Sequence, residues 1–167
     1  GDMQHLSLFE TGRQRCRGPR VEGGMTCEDL PERRRPYLIP IRIVAVCSLG
    51  HIQDFPFMEW VHQDQPVTDG CRLRFRAGRS SASLAGIKIS CSCGALQSLA
   101  GVFDFDASRG GALHKRLDYD CHGSRPWLGE DVNRDRPCGE YLRVVQRGGS
   151  NVYFPYVVSS IYLPLWA

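Results

Sequence analysis

Apolar positions along this chain come in short runs broken by turn residues. Pro36-Tyr37-Leu38-Ile39-Pro40 opens a strand over Ile41–Val46, where β-branched residues and flanking prolines favour an extended backbone. A turn follows at Cys47-Ser48-Leu49-Gly50-His51. Asp54-Phe55-Pro56 predicts a helix start, with Asp54 near the cap and Pro56 in the first turn. Phe57–His62 is then a short helix that carries Trp60 and Val61 inward. Arg72-Leu73-Arg74-Phe75-Arg76 alternates strictly and predicts a strand with one wet face, where Arg72, Arg74 and Arg76 stand about 7 Å apart. Arg79–Ser83 is a loop, Leu84–Ser90 the returning strand into Cys91, and Ala95–Gly101 a short helix. Asp104–Lys115 is a Gly-rich connection, Cys121–Gly129 irregular, and Asp131–Gly139 a polar loop. Tyr141–Gln146 is a further strand. A tight turn at Arg147–Asn151 precedes the apolar run Val152–Leu165.

These elements predict a β-rich α+β fold, with short mixed or antiparallel strands and few short helices. Residues 1–36 are polar and rich in Arg and Gly, and read as an arm. Residues 37–167 read as the folded domain. The length, 167 residues with 42% apolar and 23% charged, suits one domain with a real core. No run reaches the roughly 18 apolar residues of a membrane span, and the first residues lack a signal-peptide pattern. A reducing, cytoplasmic setting is therefore expected. The apolar C-terminal run predicts a docking surface, or a native protein that continues beyond this stretch.

Eight cysteines change this picture: Cys16, Cys27, Cys47, Cys71, Cys91, Cys93, Cys121 and Cys138. In a reducing compartment such a set points to metal before disulfides. Cys91-Ser92-Cys93-Gly94 resembles a metal knuckle with one intervening residue in place of the usual two. Cys71, Cys91, Cys93, Cys121 and Cys138 are five candidates for the four positions of one structural zinc site, with His51 and His122 as nitrogen reserves. Buried free thiols are the alternative reading. Cys16 and Cys27 are either half of a second, interrupted site or unpaired thiols.

The net charge of +3 excludes little, but its residues are lopsided: only Lys88 and Lys115 are lysines. Arginines cluster at Arg13, Arg15, Arg17 and Arg20, at Arg33–Arg35, and at Arg72, Arg74, Arg76 and Arg79. Guanidinium forks suit phosphates, although a GC-rich genome would also favour Arg. Arg72, Arg74 and Arg76 on one hairpin, with Arg143 and Arg147 on another, are the candidate nucleic-acid contacts, and Phe75, Tyr141 and Tyr153 the candidate stacking rings. A solvated sheet face with core aromatics is the plainer reading. No Gly-x-x-x-x-Gly-Lys loop is present, so the chain is not itself expected to be an ATPase. A Cys/His nucleophilic pair, Cys47 with His51 or His62, is the enzymatic alternative.

Several blocks then read together. Ile41–Pro56 contains Cys47-Ser48-Leu49-Gly50-His51-Ile52-Gln53-Asp54-Phe55-Pro56 and continues to Trp60-Val61-His62. Cys91-Ser92-Cys93-Gly94, Cys121-His122-Gly123-Ser124-Arg125-Pro126-Trp127-Leu128-Gly129 and Gln146–Pro164 follow in order. In that order they resemble the DrmB family of the bacterial DISARM antiphage defence systems, over about Arg42 to Pro164. The resemblance implies a cysteine-rich, zinc-binding accessory subunit, not an enzyme. It would partner a DNA helicase and help it engage DNA, with no small-molecule substrate and no membrane. It also implies that 167 residues are part of a longer protein, since members are much longer. An autonomous zinc-bound protein-interaction module without nucleic acid is the rival expectation.

Overall fold

The computed structural model describes residues 2–4, 6, 12–18, 27–77, 86–129 and 138–149. Two three-stranded antiparallel sheets and a two-stranded ribbon carry two short helices. In chain order the elements are β1 (Ile43–Val46), β2 (Ile52–Asp54), α1 (Phe57–His62), β3 (Leu73–Ala77), β4 (Ile87–Cys91), β5 (Leu96–Ser98), β6 (Phe105–Asp106), β7 (Gly110–Gly111), α2 (Ala112–Leu117) and β8 (Arg143–Gln146). The fold is α+β and β-rich.

The first sheet runs β2-β1-β8, with Val46 opposite both Ile52 and Arg143. The second runs β3-β4-β5, with Leu73 opposite Cys91 and Ser90 opposite Leu96. Helix α1 packs on β4 and β5, α2 packs on β7 and β8, and the two helices touch. Between them lie the fully buried Trp60, Ile89, Leu99, Val102, Leu113 and Leu142. Trp60 is fixed at both ends of its polarity: its Nε1–H donates to the Ser98 carbonyl at 3.0 Å, and the Arg116 guanidinium lies 4.9 Å from its ring. A buried indole needs such a partner for its N–H.

The arm folds back across residue 36. The Met3 N–H donates to the Leu73 carbonyl at 2.9 Å, beside an Asp2–Arg74 bridge. Arg15 lies opposite Tyr37 in a second bridge.

Three local expectations need correction. Asp54 ends β2 instead of capping a helix, and α1 starts after Pro56 with no side-chain cap. The residues after Cys93 form β5, not a helix, because the ladder to β4 and the Trp60 bond claim their backbone groups. The Gly-rich connection contains β6, β7 and α2. The apolar run Val152–Leu165, Arg79 and most of Asp131–Gly139 lie outside the described residues. No helix among the described residues is long and apolar enough to cross a membrane.

Candidate metal centres

Six of the eight cysteines gather in two groups, each at the end of one three-stranded sheet. In the first, called the β3–β4 centre, the ligand-type atoms of His62, Cys71, Cys91 and Cys93 all lie within 4.8 Å of one another. In the second, the β1–β8 centre, those of Cys47, His51, Cys121 and Cys138 do the same. Each group offers three thiols and one imidazole and could hold a metal ion.

The β3–β4 centre is built from strand geometry. Cys91 ends β4 and Cys93 stands two residues on. Cys93 lies in a turn closed by the Gly94 N–H donating to the Cys91 carbonyl at 3.1 Å, and that reversal of the chain brings the two thiols to one point with a single residue between them. Ser92 between them lies 3.9 Å from Cys91 Sγ and ties the knuckle to the neighbouring strand. Its hydroxyl accepts from the Arg72 N–H at 3.0 Å and donates to the Gly70 carbonyl at 3.3 Å, and its own N–H reaches the Arg72 carbonyl at 3.0 Å. That clamp holds Cys71 against the knuckle. Gly94, at φ +101°, closes the turn in a conformation other residues rarely adopt. His62 comes from the last turn of α1. Its Nδ1 donates to the Met58 carbonyl at 2.7 Å, which leaves Nε2 bare and aimed at Cys93 Sγ (3.3 Å) and Cys71 Sγ (3.5 Å). This is how metal-binding imidazoles are commonly oriented.

Electrostatics favours thiolate there. Burial opposes ionisation of Cys91, but the Cys93 N–H and the side chains of Cys93, Cys71 and Ser92 outweigh it and lower the thiol to about 6. Thr68 lowers Cys71. The Met58 carbonyl, with help from the thiols and against burial, raises His62.

The β1–β8 centre gathers loops from further apart. Cys47 follows β1 and His51 precedes β2 across a turn in which the Cys47 N–H donates to the His51 carbonyl. The turn is moored to the far segment by the Ser48 hydroxyl, which donates to Glu140 at 2.8 Å. Cys121 and Cys138 are joined by the Cys138 N–H donating to the Cys121 carbonyl at 3.0 Å. His51 Nδ1 lies 3.4 Å from Cys47 Sγ and 3.7 Å from Cys121 Sγ. Gly123, at φ +76°, brings its N–H to Cys121 Sγ at 3.4 Å. Burial pushes the Cys121 thiol up to about 12, against that bond.

The geometry divides the five candidate cysteines between two groups: Cys71, Cys91 and Cys93 converge at one sheet, Cys121 and Cys138 at the other. His51 joins the second group. His122 joins neither, its exposed ring packing on Tyr119 with centroids 4.7 Å apart. His62 and Cys47 complete the groups and were passed over as donors. Their signal was the Cys-x-x-x-His spacing of Cys47 and His51, and a histidine closing a helix nine residues before Cys71. Cys47 and His51 are in contact, as a nucleophilic pair would be, but two further thiols surround them. Cys16 and Cys27 lie close to one another through Gly18, whose N–H donates to Cys16 Sγ at 3.4 Å and whose carbonyl accepts from the Cys27 N–H at 2.9 Å.

The candidate arginines fall on both sheets. Arg72, Arg74 and Arg76 share the outer face of β3; Arg74 donates to Asp2 at 2.7 Å, and Arg76 stands opposite Lys88. Arg143 on β8 lies over the Phe105 ring at 4.3 Å, and Arg147 follows β8. Phe75 points to the core side with Leu73, so it cannot stack on that arginine face. Tyr141 packs on His114 at 4.6 Å. Tyr153 lies outside the described residues.

The described residues thus form a β-rich α+β fold with two three-thiol, one-imidazole groups, each able to hold a metal ion. The chain belongs to the family described as "Domain of unknown function (DUF8724)", which matches residues 2–154. It is DrmB-like: it is 31% identical over 144 residues, 86% of its length, to the DISARM protein DrmB of Bacillus paralicheniformis. It spans 23% of the length of that relative.

Proposed function

We propose that this chain is the zinc-stapled part of a non-catalytic subunit of a cytoplasmic bacterial DISARM-type defence complex, where it engages DNA beside a helicase partner. The likeness to the DISARM protein DrmB carries the reading of the complex. The donor groups carry the metal. A tetrahedral zinc ion with thiolates at about 2.3 Å and imidazole nitrogen at about 2.0 Å sets sulfur–nitrogen edges near 3.5 Å. Four of the six sulfur–nitrogen separations in the two centres run from 3.3 to 3.7 Å, and all lie within 4.8 Å. Three thiolates and one imidazole are soft donors that suit zinc over calcium or magnesium. When bound, zinc would supply structure, on the order of 10 kcal/mol of folding energy per site.

The second sheet supports DNA engagement. Like charges directly opposite on antiparallel strands are destabilising, yet Arg76 faces Lys88, and neither forms an ion pair among the described residues. A phosphate chain would neutralise that pair. Arg74 is already partnered by Asp2, so Arg72, Arg76 and Lys88 are the residues to test.

Two measurements decide the reading. Elemental analysis is expected to give two zinc ions per chain, and a value near zero refutes the metal. Double-stranded DNA is expected to bind with a salt slope that falls by about 0.9 for each phosphate contact removed, in Arg72→Glu and Arg76→Glu. Undiminished binding in both variants refutes that face. No binding by the unsubstituted chain favours a zinc-bound interaction module without nucleic acid.

A further inference from the structure

The pairing of residues 14–16 with 36–38 carries a feature that the arginines of the sheets do not: an exposed aromatic ring beside guanidinium groups that meet no carboxylate among the described residues. Residues 14–16 pair with 36–38 through the Cys16 N–H to the Pro36 carbonyl and the Leu38 N–H to the Gln14 carbonyl, both at 2.8 Å. Directly opposite residues share a face, and Arg15 lies opposite Tyr37. The Arg15 guanidinium sits 4.3 Å from the Tyr37 ring centre and that of Arg13 sits at 6.0 Å. Arg15 is held there by donating to the Tyr37 hydroxyl at 2.8 Å and to the Arg35 carbonyl at 3.0 Å. Tyr37 nonetheless stays 48% exposed. Among the described residues, Arg13, Arg15 and Arg17 form no ion pair with any carboxylate.

A ring held by a hydrogen-bonded guanidinium, half open to solvent and flanked by a second arginine, with no carboxylate paired to either among the described residues, is the arrangement that grips a flexible strand: the ring stacks a base and the arginines follow the phosphates. A duplex keeps its bases stacked inside and offers no face to such a ring. We infer that Tyr37, with Arg13, Arg15 and Arg17, forms a second nucleic-acid contact, specific for single-stranded nucleic acid. The inference rests on the reading that the protein engages nucleic acid, and it concerns a different part of the chain from β3 and β4.

The test uses the full, zinc-loaded chain with three probes: a labelled oligothymidylate of about 12 nucleotides, within the span of a single-strand site, a duplex of the same length, and polyglutamate. Tyr37→Ala is expected to weaken oligothymidylate binding roughly five- to 150-fold, the range set by loss of one stacked base, with duplex affinity unchanged. Tyr37→Phe keeps the ring and loses the bond to Arg15, so it should retain oligothymidylate affinity. Equal loss in Tyr37→Phe and Tyr37→Ala would reduce the residue to a pin for Arg15 and overturn the inference. Polyglutamate bound as tightly as oligothymidylate would overturn it too, in favour of an acidic protein partner. Duplex binding without oligothymidylate binding defeats this inference and leaves the sheet face standing. Binding of neither nucleic acid defeats both.

Discussion

At the β1–β8 centre His51 and Cys121 are buried, and the donors come from two ends of the chain, whereas at the β3–β4 centre Cys93 stands exposed on a turn and the donors come from one hairpin and the helix before it. The inner set, His62 to Cys93, is nested in sequence within the outer, Cys47 to Cys138. An ion at the β1–β8 centre closes a loop of about 70 residues between His51 and Cys121, against about 20 between Cys71 and Cys91. The difference in chain entropy is roughly 1 kcal/mol. The same donor set thus does two jobs. With an ion bound in each, the outer centre would tie distant segments of the fold together, and the inner one would shape a single sheet edge.

The largest test of that contrast is to remove one ligand from each. Cys121→Ala is expected to abolish cooperative folding. Losing a zinc site worth on the order of 10 kcal/mol exceeds or matches the whole stability of a typical domain, about 5–15 kcal/mol. Cys93→Ala is expected to keep a cooperative melt at lower temperature, because Cys93 is exposed where Cys121 is buried, and the β3–β4 ladder and the Ser92 clamp hold that sheet edge without it. Circular dichroism melts of the two variants in zinc check this. Equal unfolding in both would erase the distinction.

Next in size is the order of metal release. A mercurial or mild oxidant should reach Cys93 first and free one equivalent of zinc while the second remains. A zinc-sensitive dye read alongside peptide mass mapping would follow it. Modification of Cys121 or Cys47 before Cys93 would reverse the assignment of exposed and buried centres.

Smaller still is the effect of the clamp. Ser92→Ala removes the hydroxyl's bonds to the Gly70 carbonyl and the Arg72 N–H, and its 3.9 Å contact with Cys91 Sγ, while leaving all four donors in place. Outer partners of this kind tune metal affinity by about 10- to 100-fold. Chelator competition should show that loss at one of the two sites only. A uniform loss, or none, would mean that Ser92 does not organise the β3–β4 centre.

What the sequence disclosed follows the range of the interactions involved. Arg72–Arg76 showed its strand because alternation is local, and Phe57–His62 showed its helix because the apolar pair Trp60–Val61 and the preceding proline are local. Strands β2 and β5, of three residues each, are too short for alternation to register. They exist because β1 and β4 offer them a ladder. The cysteines announced the chemistry of the donors by type, but not their partition, which depends on which loop ends meet at which sheet. Cys47 with His51 read equally well as a nucleophilic pair, since only the approach of Cys121 and Cys138 distinguishes the two arrangements. Tyr37 read as a strand residue. Its setting is created by the arm folding back, which no periodicity encodes.

The turn of the β6–β7 ribbon is a third kind of sheet end, closed by a carboxylate where the others use thiols. Asp106 accepts from the Ser108 hydroxyl at 2.7 Å, the Ser108 N–H at 2.8 Å and the Arg109 N–H at 3.3 Å. These bonds, the Ser108 hydroxyl foremost, hold its carboxyl below the usual range. A carboxyl lowered on folding stabilises fully above its unfolded value, near 3.9, and loses that contribution as pH falls through its own lower value. Asp106→Asn, which keeps the shape and removes the charge, should therefore lower the melting temperature less than any variant above. The gap from the unsubstituted chain should be the same at pH 7 and pH 6, both of which lie above the titration. A gap that already closes between those two values would show that Asp106 is not held in its ionised form, and that this turn, unlike the two metal centres, has no charge at its origin.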